Sequence, residues 1–211
     1  MKKPVILALV LPLLLCGCAS EPKKTILPSP YPLKYTPELV AAAEAGDAAA
    51  QYTLGRCYHK GLGVEADTPQ SVAWWKKAAE QDYDSAQYNL AVCLYNGLGV
   101  DSDCAEAVKL WKRLADKGDR EAQYNMGCAY SFGKGVAKND TMAACFFTTS
   151  ARQQYAEAEY NLACCYGRGL GVEKNPELAI EWCRLAAKHG SQKAIDAMAE
   201  IDREKAAHGD K

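Results

Sequence analysis

The chain has 211 residues, with 25 Lys and Arg against 26 Asp and Glu for a formal charge of -1. That balance removes the electrostatic basis for nucleic-acid binding, because phosphate neutralisation by excess cations supplies most of that affinity. A hydrophobic content of 49% is ordinary for one globular domain plus a targeting segment, which leaves ten cysteines as the compositional anomaly.

Residues 1–17 read as an address. Lys2 and Lys3 give a positive start, Val5 to Leu15 form an apolar stretch too short to span a bilayer, and small residues follow around Gly17. Leu15, Cys16, Gly17 and Cys18 resemble the box that ends a bacterial lipoprotein signal, Leu-x-Gly-Cys. The resemblance implies cleavage before Cys18, diacylglyceryl attachment to its sulfur and acylation of the new amino terminus. One acyl chain holds a protein only marginally, at about 10⁴ M⁻¹, whereas several give a stable anchor. By that family's sorting tendency, Ala19 in place of Asp favours the outer membrane. The expected location is therefore the bacterial envelope, lipid-anchored and facing the periplasm, with a plain secretory signal as the alternative.

The rest of residues 18–36 reads as a tether. Pro22, Pro28, Pro30 and Pro32 interrupt any helical period, so an extended, semi-rigid spacer is expected. Pro37 can start the first helix with Thr36 as its N-cap, and Gly46 closes it. Ala42 and Ala43 stand 36 residues before Ala78 and Ala79, which makes this helix, 37–46, the second half of a truncated leading repeat.

A 36-residue period then governs the chain from about residue 48 to 190. The same phrase opens at Ala50, Ala86, Ala122 and Ala158, and four columns fix its register. They hold Tyr52, Tyr88, Tyr124 and Tyr160; Gly61, Gly97, Gly133 and Gly169; Gly63, Gly99, Gly135 and Gly171; and Val64, Val100, Val136 and Val172. Such a period signals stacked supersecondary units that bury their apolar faces on one another. Within the first copy, Ala50, Leu54, Gly55 and Tyr58 fall at helical spacing and Gly61 follows where a left-handed residue is needed. Asp67, Asp103, Asn139 and Asn175 occupy the N-cap column of a second helix. That helix carries an apolar stripe, Trp74, Trp75, Ala78 and Ala79 in the first copy. The small column Gly55, Ala91, Gly127 and Ala163 lets paired helices approach closely. An incomplete fifth copy starts at Ala194; Ile195, Met198 and Ile201 give it an inner face, so residues 194–206 read as a terminal cap and 207–211 as a tail.

Ala86 to Leu90, Gly97, Gly99, Val100, Ala107 and Trp111 together resemble the Sel1-like repeat, a relative of the tetratricopeptide repeat with a longer turn. The resemblance covers about residues 37–198. It implies an all-α fold, a right-handed α-solenoid of antiparallel helix pairs whose first helices line a concave groove. It also implies an adaptor surface for another protein or an extended peptide, with no cofactor and no catalysis. By analogy with tetratricopeptide arrays, the Tyr column stands on or beside that groove with Asn89, Asn125 and Asn161 next to it, and Arg56, Lys60 and Arg168 nearby. Tyr offers rigid apolar area and a hydroxyl, and Asn can pair both a peptide N–H and its C=O. The competing reading is structural: Tyr fills gaps between repeats, Asn links neighbouring backbones, and the protein is an envelope scaffold without a groove.

Eight cysteines lie in the repeats, and an exported chain meets an oxidising compartment. Cys128 with Cys145, Cys93 with Cys104, and Cys165 with Cys183 straddle their turns nearly symmetrically. Packed axes lie about 8–10 Å apart while bridged Cα atoms need less than about 7 Å, so symmetry alone does not decide a bridge. Cys57, Cys93 and Cys165 share one column and read equally well as small buried hydrophobes. No Cys-x-x-Cys pair occurs and His59, His189 and His208 are far apart in sequence, which argues against a metal site. Some cysteine-rich relatives carry a β-lactamase label, and Ser131 to Lys134 has the Ser-x-x-Lys spacing. The context is wrong for that chemistry, since Ser131 ends a helix and Gly133 opens the repeat turn.

Overall fold

A computed structural model describes residues 29–208 of the chain; the targeting segment, Cys18 and the first part of the tether lie outside the described residues. The described residues form ten α-helices and no strand. They are α1 Pro37–Glu44, α2 Ala48–Lys60, α3 Thr68–Glu80, α4 Asp84–Asn96, α5 Cys104–Asp116, α6 Arg120–Phe132, α7 Asp140–Ala151, α8 Ala156–Arg168, α9 Pro176–Lys188 and α10 Gln192–His208. Each 36-residue copy is thus one helix pair, α2–α3 through α8–α9, with α1 before and α10 after.

The helix ends are written in the columns that recur. Carboxylate and amide oxygens of Asp67, Asp103, Asn139 and Asn175 accept from the backbone N–H three residues on, at 2.9–3.0 Å, relieving a free amide of the first turn. The same residues close the hairpins, because the backbone N–H of each donates back to a carbonyl of the preceding helix, as Asn175 does to Tyr166 at 2.9 Å. The turn between the helices needs a left-handed residue, and Gly169 supplies it with φ +72°. Two residues on, Gly171 is required for a second reason. A Cβ there would lie 2.0 Å from the Asp140 carbonyl oxygen, so only hydrogen fits where this turn meets the start of α7.

Pairing within each hairpin is antiparallel. In the first, the Trp75 indole N–H donates to the Tyr52 carbonyl at 3.2 Å, while Tyr58 and Asp67 meet near the turn. The small column does what its spacing implies, since a Cβ on Gly55 would fall 2.6 Å from the Trp75 ring and one on Gly127 2.6 Å from Phe147. Trp75 is buried, but its neighbour Trp74 is only partly so and lies under the Lys77 ammonium at 3.9 Å.

The helices gather into two compact units. One comprises residues 29–122 with Gly133–Ala137. Its N-terminal cluster is built from Leu39, Ala43, Ala50, Leu54 and Cys57. The end of the Pro-rich segment packs on that cluster through Tyr31, Leu33 and Tyr35. The Ser29 hydroxyl donates to the Ala49 carbonyl at 3.2 Å, and the Tyr35 N–H donates to Leu62 at 3.3 Å, so residues 29–35 run alongside α2. The other unit comprises Gln123–Phe132 and residues 138–208. It holds one cluster between α7 and α8, with Ala143, Ala144, Phe147, Ala158, Leu162 and Cys165. A second cluster lies among α8, α9 and α10, with Ala163, Cys183, Ala186 and Ala194.

Candidate functional site

The Tyr column sits on the first helix of every pair, half-buried throughout. In two repeats the ring is met by another tyrosine from the end of the same repeat, Tyr52 by Tyr83 at 5.1 Å between centroids and Tyr124 by Tyr155 at 5.3 Å. These are tilted aromatic pairs of ordinary strength, about 0.5–1.5 kcal/mol beyond area burial. The Arg56 guanidinium lies 5.6 Å from the Tyr52 ring centre, one turn along the same helix, so this cation backs the column. Arg168 is exposed at the end of α8. Burial, reinforced by the adjacent Cys128 thiol, raises the Tyr124 phenol above its usual range, so that hydroxyl stays protonated and able to donate.

Asn89, Asn125 and Asn161 are also half-buried. Asn161 points its amide at the Cys128 sulfur, 4.0 Å away on α6, the first helix of the preceding repeat. The first copy has Thr53 in the same column. It is fully buried, with Ser29 of the N-terminal segment hydrogen-bonded to its hydroxyl at 2.5 Å.

A recurring polar pair between helix ends was not singled out from the sequence. Gln51, Gln87, Gln123 and Glu159 form one column, all buried. In the first and third repeats this side chain meets a glutamine from the end of the second helix, Gln81 to Gln51 at 2.9 Å and Gln153 to Gln123 at 2.8 Å. In the fourth, the pair is Glu159 with His189, whose Nδ1 lies 2.8 and 2.9 Å from the two carboxylate oxygens. The second repeat breaks the pattern. Lys117 takes the partner position and turns to Asp84, while the Gln87 side-chain oxygen is buried without a partner. The signal was present in the sequence as a spacing of 30 residues between the two columns.

None of the eight described cysteines is bridged in this structure. The three symmetric pairs are pointed elsewhere. Cys104 donates to the Tyr95 carbonyl at 3.6 Å, whereas Cys93 is buried in the core. Cys128 packs toward Tyr124 and Asn161, and Cys145 is buried on α7. Cys165 belongs to the α7–α8 cluster and Cys183 to the α8–α9–α10 cluster. Burial pushes the Cys165 thiol up to about 11, which suits an inert small hydrophobe. Among the described residues no cluster of three metal-ligating side chains occurs. Lys134, the basic member of the Ser-x-x-Lys spacing, is engaged by Tyr95: its ammonium donates to that carbonyl at 2.7 Å and lies 4.1 Å from the ring centre.

The Sel1 repeat model matches residues 48–83, 84–119, 120–155 and 156–191. The chain belongs to the Sel1-repeat family. Among solved structures it is similar to c5321, a protective antigen of uropathogenic Escherichia coli with an SLR fold, at 34% identity and a TM-score of 0.73 over 78% of this chain and 35% of that one. A Sel1 repeat protein from Oxalobacter formigenes is 32% identical with a TM-score of 0.67, over 75% of this chain and 61% of that one. Among curated proteins, chitin synthase regulatory factor 3 of Schizosaccharomyces pombe is 44% identical over 62 residues, 26% of this chain and 7% of that protein. This Sel1-repeat chain therefore spans less than two thirds of each of these relatives. What the likeness carries is the repeat architecture of helix pairs.

Proposed function

We propose that this Sel1-repeat chain is a non-catalytic adaptor, held in the bacterial envelope by a lipid on Cys18, that binds an extended segment of another protein along the faces of its first helices. The observation that carries the reading is the half-buried column of Tyr52, Tyr88, Tyr124 and Tyr160 beside Asn89, Asn125 and Asn161. These side chains are ordered by their neighbours yet keep part of their surface in water, which lowers the entropy lost when a peptide is taken up. The anchor rests on the Leu15–Cys18 box, and outer-membrane placement on Ala19.

The scaffold reading has its own support, because Asn161 faces Cys128 and the tyrosines pair within repeats, as packing alone would require. One experiment separates the two. The full-length chain, crosslinked in its membranes and recovered in detergent, is compared with an Asn89→Ala, Asn125→Ala double variant whose helicity is unchanged. An adaptor loses its captured partner by about 5- to 150-fold per lost pairing of 1–3 kcal/mol. Equal capture by both proteins sinks the groove reading. Membrane fractionation of Cys18→Ala tests the anchor separately, and a variant still wholly in the membrane fraction rejects it.

A further inference from the structure

Small side chains, Gly167 and Ala179, face each other across the α8–α9 hairpin. A Cβ on Gly167 would lie only 3.6 Å from the Cβ of Ala179, inside the 3.5–4.5 Å range that separates the two Cβ atoms of a disulfide. One turn further from the hairpin, at the same antiparallel register, Ala163 and Cys183 share a core cluster with Tyr160. Residues 160, 163, 164 and 167 fall at the i, i+3, i+4, i+7 spacing that defines a single helix face, so Cys164 lies on the stripe of α8 that meets α9. Cys165, one position on, belongs to the opposite stripe with Ala158 and Leu162, packed on α7. Ala163 and Gly167 keep bulky side chains out of this part of the seam, which favours the short separation a bridge needs.

The position of Cys183 is also unusual for this chain. Its column holds Trp75, Trp111 and Phe147 in the other repeats, where a large ring fills the space over the small residue of the first helix. In the fourth repeat a thiol stands there instead, and its own hydrogen bond, 3.7 Å to the Ala194 carbonyl, is weak. We propose that Cys164 and Cys183 are a redox-active dithiol that closes into an intrachain disulfide when the protein meets a disulfide oxidant such as oxidised glutathione or an oxidised thiol–disulfide exchange protein.

The half-buried Cys164 reacts first. Its thiolate attacks one sulfur of the oxidant RSSR, forming a mixed disulfide and releasing one RSH after proton uptake. The Cys183 thiolate then attacks the Cys164 sulfur, forming the internal bridge and releasing the second RSH. Two protein thiols are oxidised and one RSSR is reduced to two RSH. Burial first, and the neighbouring Cys164 thiol second, raise the Cys183 pKa, so Cys183 rests as a thiol and is the second of the two to react. The Tyr160 side chain hydrogen-bonds to Cys164, four residues on along the same helix.

The test uses the full-length chain, reduced and then equilibrated natively with oxidised glutathione, quenched with N-ethylmaleimide in denaturant and digested with trypsin without reduction. The expected product joins peptide 153–168 to peptide 175–184 with the loss of two hydrogens, in a species that runs as a monomer. Because peptide 153–168 carries both Cys164 and Cys165, variants assign the bridge. It should persist in Cys165→Ser and disappear in Cys164→Ser and Cys183→Ser, all three checked for native helicity by circular dichroism. Cys164→Ala serves where the serine variant misfolds. Persistence in Cys164→Ser with loss in Cys165→Ser overturns the assignment. So does wild-type protein in which Cys183 stays alkylatable at every glutathione ratio, or in which the mixed glutathione adduct on Cys164 is the end product.

Discussion

The Glu159–His189 pair offers the sharpest quantitative test of how the repeats are locked. The Glu159 side chain is 2% exposed and that of His189 24%, so the carboxylate is out of water and its partner is only partly so. Replacing His189 by Ala removes the group that faces both carboxylate oxygens and strands Glu159 in the interior. Removing one partner of a buried pair costs about 3–5 kcal/mol; the partial exposure of His189 lets water in and places this case near 3 kcal/mol. At 2–4 °C per kcal/mol for a domain of this size, the melting temperature should fall by about 6–12 °C. Replacing both residues by Gln recreates the neutral pairs that Gln51–Gln81 and Gln123–Gln153 already form at the same columns. That double variant should lie within about 1 kcal/mol of wild type, which is the net value of a single neutral hydrogen bond. Thermal or urea unfolding of Glu159→Gln, His189→Gln and the double variant closes a double-mutant cycle, in which the double should cost less than the sum of its singles. A His189→Ala cost below 1 kcal/mol, or a double variant as damaged as the worse single, would refute the reasoning.

Other perturbations probe the turns and the N-terminal segment. Gly171→Ala pushes a methyl group into the Asp140 carbonyl, whereas Gly190 has open space around it and a φ of +97°, so the first should cost several kcal/mol in urea unfolding and the second about 1; equal costs would contradict the close approach. Gln154 is a non-glycine residue at φ +59°, and Gln154→Gly should relieve about 1–2 kcal/mol of left-handed strain against 0.5–1 lost to chain entropy, for a net gain near 0.5. Asp82→Gly, at the same φ, should gain less because it also loses the 3.1 Å bond from Gln87 to its carboxylate, and a larger gain at Asp82 would count against this accounting. Tyr35→Ala withdraws a ring that meets Tyr58 edge-on at 6.0 Å, so amide exchange should quicken in α1 and α2 while α8 and α9 keep their protection; no change in α2 would show that residues 29–35 do not hold it.

Much of the fold was legible because each repeat spells its own termini. The N-cap residues Asp67, Asp103, Asn139 and Asn175 and the glycine after each first helix are short-range signals, decided by hydrogen bonds within three or four residues. The close helix approach was legible too, from the alternation of Gly and Ala opposite aromatic rings. What the spacing could not resolve was direction around a helix. Cys165 and Cys183 are nearly symmetric about their turn, yet Cys165 packs with the α7–α8 cluster and Cys183 with the α8–α9–α10 cluster, because each residue step turns a side chain by about 100° around the helix. The Pro-rich segment misled for a related reason. Proline reports that a segment is extended but not what it touches, and residues 29–35 lie on α2.

The repeats also alternate in a way that a single 36-residue period hides. The junctions after α1, α5 and α9 use Gly46, Gly118 and Gly190 at φ +99°, +89° and +97°, followed by Asp47, Asp119 and Ser191. Those after α3 and α7 use Asp82 and Gln154, both at φ +59°, followed by Tyr83 and Tyr155, which provide no side-chain cap and stack on the Tyr column instead. At every second junction a glycine at positive φ is thus exchanged for a strained residue, and the side-chain caps that Asp47 and Asp119 give to Ala50 and Ala122 are replaced at Tyr83 and Tyr155 by an aromatic contact. The first and third repeats accordingly share the Gln–Gln pair and the glycine under an aromatic ring, while the second and fourth depart from both. The side chains set beside the proposed binding columns therefore repeat every two helix pairs.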